Sequence, residues 1–187
     1  MAHTVLGIDP GSNGTAWAVA TLTEIKRVGI VKSKPTEESS TQITMLRYTH
    51  VALEDIFRKH PEISLVVVEG QQIHRGQTKS PDSITKLTLV AGGIIGQIVS
   101  LSPQCKIVAP DSDEWKGQQP KRVSQGRTFT HYGVLFDGRS DYMVPSGCAR
   151  ISVVPGYEHL NPGDWRDVGD ALGLALWGSR LLASSAS

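Results

Sequence analysis

The stretch that decides the fold is Val5-Leu6-Gly7-Ile8-Asp9-Pro10-Gly11-Ser12-Asn13-Gly14-Thr15-Ala16-Trp17-Ala18-Val19. The apolar run 5–8 closes on one carboxylate, a Pro-Gly-Ser-Asn-Gly turn follows, and a second apolar run, 16–20, leads away. Strand, acid, tight turn, strand is the economical reading, with Gly11 and Gly14 supplying backbone freedom in the turn. Such a hairpin holds Asp9 rigidly at the exit of a buried strand, facing a cleft. The alternative is an aspartate that only caps its own turn.

Working outward, residues 24–34 carry Ile25, Val28, Ile30 and Val31 among polar neighbours and read as a third strand completing an antiparallel meander. Between 41 and 60, Ile43, Leu46, Leu53, Ile56 and Phe57 recur at near-helical spacing until Pro61 stops the helix. Leu65-Val66-Val67-Val68 is a β-branched run suited to a central strand buried on both faces, and Glu69 follows it as Asp9 follows the first strand. A polar loop, 70–80, leads into a helix over 81–101 containing Ala91-Gly92-Gly93 and Gly96. Glycines weaken a helix, so their presence predicts close approach by another backbone. Residues 106–109 read as a short strand, 111–115 as a helical turn, 121–131 as a basic helix and 165–182 as a packed helix. The region 134–162, rich in Gly and Pro, reads as an inserted loop or hairpin in which only 151–154 look strand-like. Strands first, then strand–helix alternation, predicts a single domain over 1–187: a mixed α/β sheet with helices on both faces.

The bulk numbers agree with one domain. A chain of 187 residues, 39% hydrophobic and 20% charged, has a globular composition that excludes disordered and fibrous classes. A net charge of +1 names no partner. Its distribution is more telling, because residues 115–131 hold Lys116, Lys121, Arg122 and Arg127 and no acid: a basic surface for a polyanion, or a solvated face. Cys105 and Cys148 form no CxxC pair and fit a reducing compartment, with one long-range disulfide as the alternative. No stretch reads as a membrane span or a secretory leader, so the expectation is a cytoplasmic protein without a membrane partner.

Asp167-Val168-Gly169-Asp170 opens the last helix, and residues three apart share a helix face. The helix macrodipole alone would explain acids there. The shared explanation is that Asp9 and Glu69 stand at the ends of adjacent strands and the last helix lays its first turn across them. Four carboxylates then converge with no compensating cation in the motifs, which calls for a divalent metal. Oxygen-only ligation suits Mg2+ or Mn2+ rather than zinc.

Leu6-Gly7-Ile8-Asp9-Pro10-Gly11-Ser12, Val67-Val68-Glu69 and Asp167-Val168-Gly169-Asp170-Ala171-Leu172 together resemble the RuvC-type Holliday-junction resolvases of the ribonuclease H-like superfamily. The order of the motifs agrees along nearly the whole chain. The resemblance implies a five-stranded mixed sheet flanked by helices, and a homodimer with the 81–101 helix at its interface. It also implies four metal-binding catalytic acids, Asp9, Glu69, Asp167 and Asp170, and catalytic-site lysines at Lys116 and Lys121. It further implies a role in DNA recombination and repair, in a bacterial or phage-infected cell. Two departures stand out. Gly70-Gln71-Gln72 occupies the place where the family commonly carries an aromatic or bulky apolar residue. The segment before Asp167 is longer than in typical bacterial members, a variation similar to phage-encoded relatives.

The expected chemistry is hydrolysis of four-way branched DNA, with two Mg2+ ions roughly 4 Å apart and Mn2+ as a substitute, leaving a 5′-phosphate and a 3′-hydroxyl. Gln72, His74, Arg75 and Lys79 of the loop after Glu69, with Lys116, Lys121, Arg122 and Arg127, are the expected DNA contacts. The nearest rival is another ribonuclease H-like nuclease acting on RNA–DNA hybrid or structured RNA. A sugar-kinase or actin-like ATPase is a second, since the turn after Asp9 resembles a phosphate loop, and a catalytically dead junction-binding protein is a third.

Overall fold

The opening stretch forms the expected strand pair: β1 (Thr4–Asp9) and β2 (Gly14–Ala20) run antiparallel, with Asp9 opposite Ala16. The computed structural model describes residues 3–11, 14–33, 40–70, 81–135, 149–150, 156, 160 and 163–185. Strand β3 (Ile25–Lys32) completes the meander against β2, as the sequence predicts. After helix α1 (Thr41–Lys59), strand β4 (Ile63–Val68) enters parallel to β1 on the edge that β2 leaves free. Helix α2 (Pro81–Leu101) then crosses to β5 (Lys106–Val108), parallel to β4. The sheet is five-stranded and mixed, in the order β3-β2-β1-β4-β5.

Both faces of β1 and β4 are covered, which is why 65–68 is apolar at every position. On one face Leu6, Ile8, Val66 and Val68 meet Met45, Leu53 and Ile56 of α1 and Val90, Ile94 and Ile98 of α2. On the other, Val5, Leu65 and Val67 meet Leu174 and Ala175 of the last helix, α5 (Trp165–Ser185). Gly7 has a specific task on this second face. A Cβ there would run into the Ala171 carbonyl oxygen and the Ala175 amide nitrogen, so the missing side chain lets the α5 backbone lie directly on β1. Helices α3 (Ser112–Lys116) and α4 (Lys121–His131) flank α5 on the same side.

Three expectations need correction. Helix α2 is long and apolar enough over Asp82–Leu101 to cross a membrane by length and composition, although the sequence suggested no such stretch. Its apolar surplus has two destinations: Val90, Ala91, Ile94 and Ile98 enter the core, while Leu89 and Val99 remain exposed. The glycines of α2 also divide. A Cβ on Gly93 would strike Leu46 of α1, so that glycine serves packing inside the chain, whereas Gly92 and Gly96 face open space. Finally, of 134–162 the described residues show β6 (Val134–Leu135) paired with β7 (Ala149–Arg150), and the pair is parallel. A parallel pair cannot be joined by a tight turn, so of the expected loop or hairpin this pair is not the hairpin. The strand expected at 151–154 lies outside the described residues.

Candidate active site

Successive side chains of a strand point to opposite faces. Because Val5 and Gly7 face α5, Asp9 does so too, and because Leu65 and Val67 face α5, Glu69 follows. The two acids stand at the same end of neighbouring parallel strands, and the Glu69 amide extends their pairing by donating to the Ile8 carbonyl over 3.0 Å. The first turns of α5 bring in Asp170, whose side chain is only 4% exposed, and Asp167, 46% exposed at the rim. The close seat of α5 on Gly7 is what sets its acids beside Asp9.

The charges are not left uncompensated, as the motifs alone suggested. Lys121, at the start of α4, places its ammonium 2.6 Å from Asp170 Oδ2 and 3.8 Å from Asp167 Oδ1. Lys116, at the end of α3, reaches to 3.6 Å from Glu69 Oε1 with its ammonium 4.9 Å over the Trp115 ring. Burial, then the neighbouring Glu69 and Asp170 carboxylates, push Asp9 well above the usual carboxylate range. Glu69 goes the other way. Burial raises it, but hydrogen bonds from Ser112, the Lys116 charge and hydrogen bonds from Asp9 and Trp115 outweigh burial and hold it low. Of the two neighbouring carboxyls, Asp9 is the one driven up and Glu69 the one held down. Burial raises Asp170 despite Lys121 and Gln125. Burial would lower Lys121, yet Asp170, Asp9 and Asp167 hold it raised and charged.

Three residues that sequence reasoning passed over orient this cluster. Ser112 Oγ donates to Glu69 Oε1 over 2.7 Å and Trp115 Nε1 donates to the same oxygen over 3.2 Å. Buried Gln125 donates through Nε2 to Asp170 Oδ1 at 2.9 Å and to the Arg166 carbonyl at 2.6 Å. A signal for the first two existed: β5 runs parallel beside β4, so the turn after it must land beside the residue after β4. Gly70 marks the contact, since its amide donates to the Pro110 carbonyl over 2.8 Å and a Cβ there would crowd the Ala109 and Pro110 carbonyl oxygens and the Asp111 carboxylate.

Of the other expected residues, Arg122 is exposed on α4 next to Lys121, and Arg127 is exposed farther along the same helix. Gln72, His74, Arg75 and Lys79 lie outside the described residues. As they stand, no three acid, His or Cys side chains among the described residues are grouped tightly enough to hold a metal ion. The donor chemistry nevertheless fits a hard divalent cation. The converging ligand atoms are carboxylate oxygens without thiol or imidazole, and Lys121 on Asp170 and Lys116 beside Glu69 supply the positive charge meanwhile.

No protein-family model and no curated protein matches the chain. Solved structures do. Thermus thermophilus RuvC in complex with a Holliday-junction substrate aligns over 99% of this chain and 98% of its own, with a TM-score of 0.65 at 15% identity. A structure of Thermus thermophilus RuvC aligns over 97% and 96%, with a TM-score of 0.64 at 15% identity. The yeast mitochondrial Holliday-junction resolvase Ydc2 aligns over 97% of this chain and 83% of its own, with a TM-score of 0.52 at 13% identity. The resemblance carried by three short motifs thus extends to the whole architecture, and the fold of this protein is that of the RuvC-type Holliday-junction resolvases, a ribonuclease H-like sheet.

Proposed function

We propose that the protein is a divalent-metal-dependent endonuclease that resolves four-way DNA junctions by paired hydrolysis, leaving 5′-phosphate and 3′-hydroxyl ends. One observation carries the reading: Asp9 and Glu69 lie side by side on parallel strands under the acidic first turns of α5, with two lysines turned toward them. Mg2+ or Mn2+ held by Asp9, Glu69, Asp167 and Asp170 supplies activation of water and neutralisation of charge on the scissile phosphate. The chain's own residues do the rest. Ser112 and Trp115 fix one oxygen of Glu69, and Gln125 fixes one of Asp170, so the acids do not reorganise during the reaction. Lys116 and Lys121, both turned toward the carboxylates, hold the phosphate and stabilise the charge that builds on it. The RuvC-type fold, which Thermus thermophilus RuvC uses with a Holliday junction, supports branched DNA as the substrate.

Paired cutting requires two sites. Leu89, Gly92, Gly96 and Val99 recur every three or four residues on the exposed side of α2, an apolar stripe with small residues at its centre. That stripe is the self-complementary surface for a two-fold dimer, whose symmetry matches a four-way junction. The test is cleavage of matched four-way junction, duplex and RNA–DNA hybrid in Mg2+. Symmetric nicks near the junction centre, absent with Asp9→Asn, are expected. Preference for the hybrid would move the protein to the ribonuclease H side of the fold.

A further inference from the structure

Between α3, α4 and α5, next to the carboxylates but separate from them, lies a partly open cavity of about 140 Å³. Its wall carries three cations, Lys116, Arg127 and Arg180, and the indoles of Trp115 and Trp177, with Thr128 among the polar groups between them. None of its lining residues is acidic, and among the described residues neither guanidinium has an ion-pair partner. Positive charge left without a counter-charge around a concave surface attracts anions. The half-buried Trp177 indole beside it offers an aromatic surface for a nucleobase, while the Trp115 ring is already faced by the Lys116 ammonium. The volume is well under the ~300 Å³ where pockets for drug-sized ligands begin. It has room for one phosphate with its sugar or base, and none for a large cofactor.

The cavity shares residues with the acid cluster. The Trp115 ring lines it while Trp115 Nε1 donates to Glu69, and Lys116 lines it while facing Glu69 across 3.6 Å. Arg180 lies ten residues beyond Asp170 on α5, about 15 Å along the helix axis. At ~3.4 Å of rise per nucleotide of a strand, that is about four nucleotides from the carboxylates.

We infer that this cavity binds a single nucleotide unit, its phosphate between Arg127 and Arg180 and its base or sugar against Trp177. The unit has two possible sources, a free nucleotide or one link of a DNA strand passing the acids. With the strand as source, the inference extends the nuclease reading. The binding itself does not depend on that reading.

Trp177→Phe, Arg180→Ala and Arg127→Ala/Arg180→Ala separate these cases. Tryptophan fluorescence and anisotropy are followed in EDTA during titration with dAMP and with a labelled single-stranded oligonucleotide. The oligonucleotide should quench saturably, Trp177→Phe should remove most of the quench, and each arginine lost should weaken binding about tenfold. The same pattern with dAMP identifies the free nucleotide as a ligand, and the pattern with the oligonucleotide alone identifies the strand. The inference is overturned if neither probe binds the wild-type chain, or if the folded double variant, checked by circular dichroism, binds as tightly as wild type. It is equally overturned if the quench survives Trp177→Phe. Metal is absent throughout, so failure here leaves junction cleavage untouched, and failure of cleavage leaves this binding untouched.

Discussion

The Asp9 carboxyl works against the fold in the metal-free protein, and the sign of its effect can be checked. Its folded pKa is raised by burial and by the Glu69 and Asp170 charges, so between the ordinary carboxylate range and that raised value the folded state holds a proton the unfolded state has lost. Stability therefore falls as pH rises through that window, and the loss is complete above it. Asp9→Asn removes the penalty. The melting temperature of the metal-free variant should exceed wild type by a few degrees at pH 8, at ~2–4 °C per kcal/mol for a chain this size, and match it near pH 4. Mg2+ should raise the wild-type melting temperature and move the variant little. A variant no more stable than wild type at pH 8 would show that Asp9 bears no such repulsion. Lys121 behaves oppositely. From the sequence it is one exposed cation among several, dispensable for stability, but the structure pairs it with buried Asp170. Lys121→Ala should cost about 1–2 kcal/mol in urea unfolding, below the ~3–5 kcal/mol of a fully buried pair because half the lysine is in solvent. Mg2+ should restore most of it. The four acids were legible because each stands where an apolar run ends or a helix begins. Ser112, Trp115 and Gln125 were not, since a serine, an indole and an amide carry no signal until the chain has placed them beside a carboxylate.

Strands β1, β2 and β4 and helices α1 and α5 could be read from apolar spacing alone, because each buries one face, or both, against a partner within the chain. Helix α2 is where such reading runs short. Its glycines look equivalent in sequence, yet the position of α1 makes Gly93 an internal contact and leaves Gly92 and Gly96 open. The two classes should respond differently to the same substitution. Gly93→Leu forces overpacking against Leu46 and should cost about 1–3 kcal/mol of stability. Gly92→Leu should leave the fold intact and push two copies of α2 apart, giving a monomer by sedimentation at micromolar concentration where the proposed function requires wild type to be a dimer. Because a dimer's stability depends on its concentration, both variants must be compared at equal protein concentration. If Gly92→Leu sediments as wild type does, the exposed stripe is not the dimer contact.

For the molecule as a whole, the order of the motifs revealed the sheet because strand, acid, strand, acid, helix, acid closes in few other ways. Which cations would meet DNA in the proposed function was less legible, because it depends on what else each cation touches. A chain of net charge +1 does not attract DNA in bulk, so on the proposed reading affinity comes from local cations. In the metal-free protein Lys116 faces Glu69 and Lys121 grips Asp170, and neither is free for a phosphate. A divalent cation on the carboxylates removes the reason for both pairings. Two further cations per protomer then become available to the DNA, and each phosphate neutralised steepens the fall of log affinity with log salt by ~0.9. Junction binding measured against KCl should therefore show a slope steeper by about 1.8 per protomer in Ca2+ than in EDTA, on that same ~0.9 per contact. Lys116→Ala and Lys121→Ala should each remove about half of that difference. Equal slopes in the two conditions would mean that the lysines stay on their carboxylates throughout. Their part in holding the phosphate would then be lost, while the four acids would remain the candidates for hydrolysis.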